Sequence, residues 1–270
     1  MLDSYTRKDI TYHMSRIKLL LSIILVAGLS ATVLGQRSRI KSEDAEERYK
    51  TFTSGGVTTN TNSGILGGVV FRQSSALQAK LFGKNQYKYL AVELVNVKHP
   101  KELSQQDFVT GARLVYGKEN YLFVLRPEYG REITLFNRHE DEGISISAIL
   151  AAGPSLGIEK PYMIQYQTAD GRVVTEPFDP VKHTGSSQGA GIVGAGSFFQ
   201  GFGQSKIIPG LHVKTALSFE LSAFRENVTG IEIGFLAEGF TRKAQIMAFA
   251  ENKSFYTSGF ITLYFGSKKR

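Results

Sequence analysis

The chain has 270 residues, 42% hydrophobic and 21% charged, a balance that excludes a disordered polymer and fits one domain of ordinary size. It contains no cysteine, which excludes a disulfide framework, a thiolate metal site, a cysteine nucleophile and a lipoprotein anchor. The formal charge of +8 is scattered apart from Arg37 to Lys41 and Lys268 to Arg270, and no basic helix or aromatic RNA-binding motif accompanies it, so nucleic acid is not expected as a partner. High glycine with abundant Tyr, Phe and Thr favours strands and turns over helices.

The N-terminus reads as an address. Arg16 and Lys18 precede an apolar run from Leu19 to Leu29, and small residues follow up to Gln36. This is the pattern of a secretory signal peptide over 1–35, cut after Gly35. An uncut signal anchor is the alternative, although the run is short for a transmembrane helix. Met14 is a second candidate start, since export needs nothing from residues 1–13. The signal segment holds four Lys/Arg and two acids, so its removal leaves about +6. Residues 36–62 read as a flexible periplasmic leader, charged from Lys41 to Lys50 and rich in Thr, Ser, Gly and Asn from Thr51 to Ser63. Beyond residue 63 no segment approaches eighteen apolar residues, so any later membrane crossing must be made by strands.

Period-two alternation marks those strands. A first one near 64–73 brings Arg72, with poor alternation. Leu90, Val92 and Leu94 then oppose Tyr89, Ala91 and Glu93. Tyr121, Phe123 and Leu125 oppose Val124, Arg126 and Glu128. A long apolar face runs from Ile144 to Leu156, and a short strand near 161–168 carries Tyr162, Ile164 and Tyr166. In 211–224, Leu211, Val213, Thr215, Leu217, Phe219, Leu221 and Ala223 share one face; the other holds His212, Lys214 and Glu220. The strand 229–238 sets Thr229, Ile231, Ile233, Phe235 and Ala237 against Glu232 and Glu238. The last strand spans 255–265. The total is eight, and 143–168 can also be one long strand. An even number returns both termini to the periplasmic side. The turn at 224–227 is then periplasmic, 241–254 is external, and 169–207 is the largest external loop.

One face of these strands is free of charge and the other is not. In a membrane barrel the outer face must be apolar and the lumen may be polar; a soluble barrel reverses this. The membrane alternative places Arg126, Glu128, His212, Lys214, Glu220, Glu232 and Glu238 in the lumen as a structural polar cluster. Both signs are present, so these groups can pair across it.

The closing segment Ile261-Thr262-Leu263-Tyr264-Phe265-Gly266 puts aromatics at the end of an alternating strand. With the signal peptide and the missing helices, it resembles the terminal strand of small OmpA/OmpX-type outer-membrane barrels of Gram-negative bacteria. In that family the aromatic ends the chain, whereas here five residues follow Phe265. The resemblance covers 64–265 by pattern and is architectural. It implies an all-β, closed antiparallel up-and-down transmembrane barrel over 63–270 in the outer membrane. Outer-membrane lipid is the expected surrounding, and a protein partner could dock on the external loops or the leader. No catalytic, cofactor or metal residues are assigned, and no cofactor is expected.

Other patterns have plainer readings. Gly189 to Gly194 fits a G-x-G-x-x-G string, but it follows a polar loop instead of a strand and reads as a flexible loop. Phe198, Phe199 and Phe202 are expected to fold over the barrel mouth. His183, Ser186, Ser187 and Asp179 sit in one loop without a nucleophile elbow. His139 to Glu142 reads as an exposed turn. The leading function is a non-catalytic outer-membrane barrel without an open pore, acting as a structural or partner-binding component. The alternatives are a barrel enzyme acting on lipid, which needs His212 or His183 beside a serine and an acid at the rim, and a soluble exported barrel holding an apolar ligand, which needs Leu211, Val213, Leu217 and Phe219 to point inward.

Overall fold

The computed structural model describes residues 49–106, 113–136, 144–183, 191–224 and 227–269. The alternation read from the sequence becomes a set of long strands, because each can bury one face and leave the other bare. The described residues form β1 (Thr51–Asn60), β2 (Gly64–Leu81), β3 (Lys84–Val97), β4 (Ser104–Gln106), β5 (Arg113–Val115), β6 (Asn120–Phe136) and β7 (Ser145–Pro161). They continue with β8 (Met163–Gln167), β9 (Val173–Pro177), β10 (Gly191–Ala195), β11 (Lys206–Phe224), β12 (Asn227–Phe240) and β13 (Phe255–Lys269).

Eight of these close into a barrel in the order β1-β13-β12-β11-β7-β6-β3-β2. Every neighbouring pair is antiparallel, and the ring is sealed where β1 pairs β13 from Thr51↔Lys269 to Asn60↔Phe260. Closure removes both sheet edges, so all the ladder groups find partners. A tight turn at Phe82-Gly83, both with positive φ (51° and 75°), links β2 to β3, the type I′ geometry whose twist suits a hairpin. That turn lies at the same end as the two chain ends of the barrel. The long connections, β3 to β6, β7 to β11 and β12 to β13, all lie at the opposite end.

The count of eight agrees with the sequence reading, but its membership differs. Thr51–Asn60, expected inside the leader, is a barrel strand and supplies the seam. The segment 161–168 is not a barrel strand: β8 lies in a separate three-stranded sheet, order β10-β8-β9, at the loop end. The described part of the Gly-rich string, Gly191–Ala195, is β10 of that sheet and not a flexible loop. Residues 1–48, His139 to Glu142, Ser186 and Ser187 lie outside the described residues.

Three buried groups fill the barrel along its length. Tyr49, Phe52, Tyr87 and Tyr264 pack at the termini end, with Tyr49 stacked on Tyr87 at 4.2 Å between ring centroids. Tyr89, Ile149, Leu236 and Phe260 lie in a second group. At the loop end, Val97, Leu122, Val124 and Ile208 meet Ala244, Ile246 and Met247, which dip in from the β12–β13 loop. That loop, and not the Phe198–Phe202 segment, stoppers the mouth. Phe198 packs instead on Tyr121 and Phe123, outside the wall. A ring in the mouth would have to displace Ile246 and Ala244, which are already fully buried there.

Candidate functional site: a charged lumen inside an uncharged wall

Every carboxylate carried by the eight barrel strands points inward and is buried: Glu93, Glu128, Glu132, Glu159, Glu220, Glu232 and Glu238. Outward positions on the same strands carry no carboxylate and are mostly apolar or small, with Lys84, Lys88 and Arg131 near the termini end among the exceptions. Leu211 is 72% exposed, Phe235 72% and Leu150 62%. Leaving such side chains bare to water forfeits about 1.5–3 kcal/mol each, so the wall fits hydrocarbon and not water. Leu211, Val213 and Leu217 are among the exposed residues, which overturns the soluble ligand-binding alternative.

The sequence-predicted cluster falls into separate groups. In the first, Arg126 donates from Nε and Nη2 to both oxygens of Glu238 at 2.8 and 2.7 Å, and from Nη1 to Glu93 at 3.1 Å. Ser155 Oγ donates to Glu238 Oε1 at 2.5 Å and lies 3.0 Å from His212 Nδ1. The second group joins Lys214, Glu128 and Glu232: Lys214 Nζ is 3.2 Å from Glu128 and 3.0 Å from Glu232. Arg72 completes it, donating to Glu232 at 2.9 Å and to Ser54 at 3.0 Å. Glu220 takes Lys268 at 2.6 Å.

Arg72, Glu93, Glu132 and Ser155 were not singled out by the sequence reading. Glu93 was legible, since it already fell on the face opposite Leu90 and Leu94. Arg72 was obscured by the weak alternation of its strand. Each ion pair of the Arg126 and Lys214 groups is deeply buried, and stripping water from an isolated charge costs several kcal/mol. Two-point contacts and hydroxyl donors offset that cost by satisfying the remaining lone pairs. Such a lumen is packed with paired charges and rings. Eight strands enclose an interior only wide enough for side chains, and here it is filled by Arg72, Tyr89, Lys214 and Tyr264 among others.

Ser155, His212 and Glu238 invite comparison with a hydrolytic triad. The order is wrong. The single Ser155 proton goes to Glu238, so His212 must donate from Nδ1 to Oγ, and its Nε2 has no hydrogen-bond partner among the described residues. A catalytic histidine accepts the serine proton and is itself held by the acid. Here the acid holds the serine and is already clamped by Arg126. His183, the other candidate, is spent on structure: its Nδ1 accepts from Asp179 N at 2.9 Å and its Nε2 contacts Glu176 at 3.0 Å. No three described His, Asp or Glu side chains converge as metal ligands.

Ion pairs also fasten the loop end. Arg242 grips Glu159 through two contacts of 3.0 and 2.6 Å, and Glu159 accepts from Gln245 N at 2.6 Å. Asn252 accepts from Ile246 N and Met247 N and donates to Met247 O, which fixes the stopper. Lys118 pairs with Glu102 above the Tyr121 ring. Burial pushes the Lys118 ammonium below its usual range, while Glu102 pulls the other way. In the small sheet, hydrogen bonds from Lys182 and then His183 hold Glu176 below the usual carboxylate range.

No protein-family model matches the sequence, and no curated protein matches it. Among solved structures, the chain is similar to Neisserial surface protein A at 10% identity and a TM-score of 0.33, with 81% of this chain and 95% of that one covered. It is similar to Ail, the attachment invasion locus protein of Yersinia pestis, at 8% identity and a TM-score of 0.31, with the same coverages. The fold is a closed eight-stranded barrel. That rests on the chain's own strand pairing.

Proposed function

We propose that the protein is an integral outer-membrane barrel, exported by its N-terminal signal with cleavage after Gly35, and that it is non-catalytic and closed to diffusion. It acts at its loop end as a structural or partner-binding component. The observation that carries this reading is the sorting of charge: all barrel-strand carboxylates face inward, and the outward wall carries none, its few charges being basic and near the ends of the strands. A membrane strand needs about 9–11 residues, and the outward face of β11 is uncharged from 207 to 221. With the termini end in the periplasm, short turns face inward and long loops face outward, as is usual for such barrels.

The small sheet supports contact through the loops. Among the described residues its edge strand β9 is unpaired on one side, with Val173 and Val174 exposed, and Val181 is exposed on the helical turn that follows. An open edge with apolar side chains is a template for a partner strand.

Detergent phase partitioning of the mature protein tests the reading. It should enter the detergent phase, migrate faster on gels before boiling than after, and give no steady conductance in planar bilayers. Recovery in the aqueous phase would sink it. The lipid-enzyme reading survives only through the Ser155–His212 contact. A fluorophosphonate probe should leave Ser155 unlabelled, since it is fully buried and its proton points at Glu238.

A further inference from the structure

The few charges that do reach the outward wall of the termini half are all basic. Lys88 on β3 and Arg131 on β6 lie directly across from each other in the ladder. Their chain neighbours Tyr87, Tyr89 and Glu132 are buried in the lumen, so both side chains point out. Like charges placed directly opposite destabilise a sheet, and no carboxylate forms an ion pair with either among the described residues. The Lys88 ammonium lies 5.9 Å from the Tyr129 ring, which shares the outward face with Arg131. Lys84 follows on the same face of β3, exposed, and its ammonium donates to Leu135 O at 2.9 Å. In the other direction the wall continues through Leu90, Val92 and Leu94, all exposed and uncharged.

We propose that the Lys88–Arg131 pair is a binding site for the phosphate of an anionic glycerophospholipid in the periplasmic leaflet. Two cations directly across one rung of the ladder form a cleft for one phosphate. The apolar wall beginning at Leu90 receives the acyl chains, and Tyr129 sits at the level where an aromatic ring bridges headgroup and hydrocarbon. An anion in the cleft turns the repulsion into two attractions, which explains how the like-charge pair is tolerated. The proposal rests on the membrane reading above.

The chain has no tryptophan, so Leu90→Trp gives a single reporter beside the site. The L90W protein is placed in vesicles containing phosphatidylglycerol or phosphatidylcholine with brominated acyl chains. Quenching should favour phosphatidylglycerol, by about fivefold for each cation near the surface. The preference should vanish in K88Q/R131Q and persist in K88R. The double variant removes repulsion, so it is expected to fold, and heat-modifiable migration checks that it has. Equal quenching by both lipids, or a preference that survives K88Q/R131Q, overturns the site while leaving the membrane reading intact. No quenching by either lipid overturns the membrane reading itself, and the site with it. Displacement of the brominated lipid by lipopolysaccharide overturns the assignment to a glycerophospholipid.

Discussion

The two faces of the barrel wall are built from the same strands, one residue apart, and solve opposite problems. The outward face carries no carboxylate and keeps large apolar side chains such as Leu150, Leu211 and Phe235 bare. The inward face gathers Arg72, Arg126, Lys214 and their carboxylates into pairs that no solvent screens. The strand period of two is what lets one segment do both. It also means that a change tolerated on one face is costly on the other, so each face can be broken separately.

The largest effect is expected inside. Arg126→Leu leaves Glu93 and Glu238 buried without their cation, which should cost about 3–5 kcal/mol in urea unfolding from micelles. Adding Glu93→Gln and Glu238→Gln to it should restore much of that loss, because the uncompensated charges are then gone. No recovery would mean that the pair is not the source of the cost. On the wall, Leu217→Arg should cost about 2–4 kcal/mol in the same assay in a bilayer, and Ile207→Arg near the loop end about 0–1 kcal/mol. Equal costs at the two positions would mean that depth in a bilayer is not what matters.

At the mouth, Asn252→Ala removes three buried hydrogen bonds to the stopper. A loss of about 1–3 kcal/mol of local stability is expected, read as faster amide exchange at Ile246 and Met247 with the barrel amides unchanged. The smallest effect is a pH response of the loop sheet. Glu176 is held below the usual carboxylate range by Lys182 and His183. Its contribution is therefore complete above that range and is lost as pH falls through its lowered value. Exchange at Val174 and Thr175 should rise there, while β11 amides stay protected; a rise with increasing pH beyond intrinsic exchange would contradict the pairing.

The sequence revealed the wall better than the lumen. Alternation over 211–224, 229–238 and 255–265 was clear because large apolar residues recur every second position. The seam strand Thr51–Asn60 was hidden, since its outward residues are Thr51, Thr53, Gly55, Val57 and Thr59. Small residues are needed where it runs: a Cβ on Gly56 would meet Thr262 Cγ2 at 3.0 Å and Tyr264 Cβ at 3.1 Å. The same composition reads as a linker when no neighbour is known. Tyr162, Ile164 and Tyr166 alternate as a barrel strand would, but they bury their faces in the loop sheet instead. Which charges face inward could be read from the strand period. Which of them pair could not, because Arg72 and Glu232 lie 160 positions apart and meet only when the ring closes.

The central claim is the direction of the uncharged face. Since the chain has no cysteine, single cysteines at positions 213, 214, 215, 216 and 217 can each carry a spin label in reconstituted vesicles. Labels at 213, 215 and 217 should be broadened by oxygen and shielded from a water-soluble nickel complex, with 214 and 216 shielded from both. Strong nickel broadening at 213, 215 and 217 would show that this face meets water, and would contradict the account.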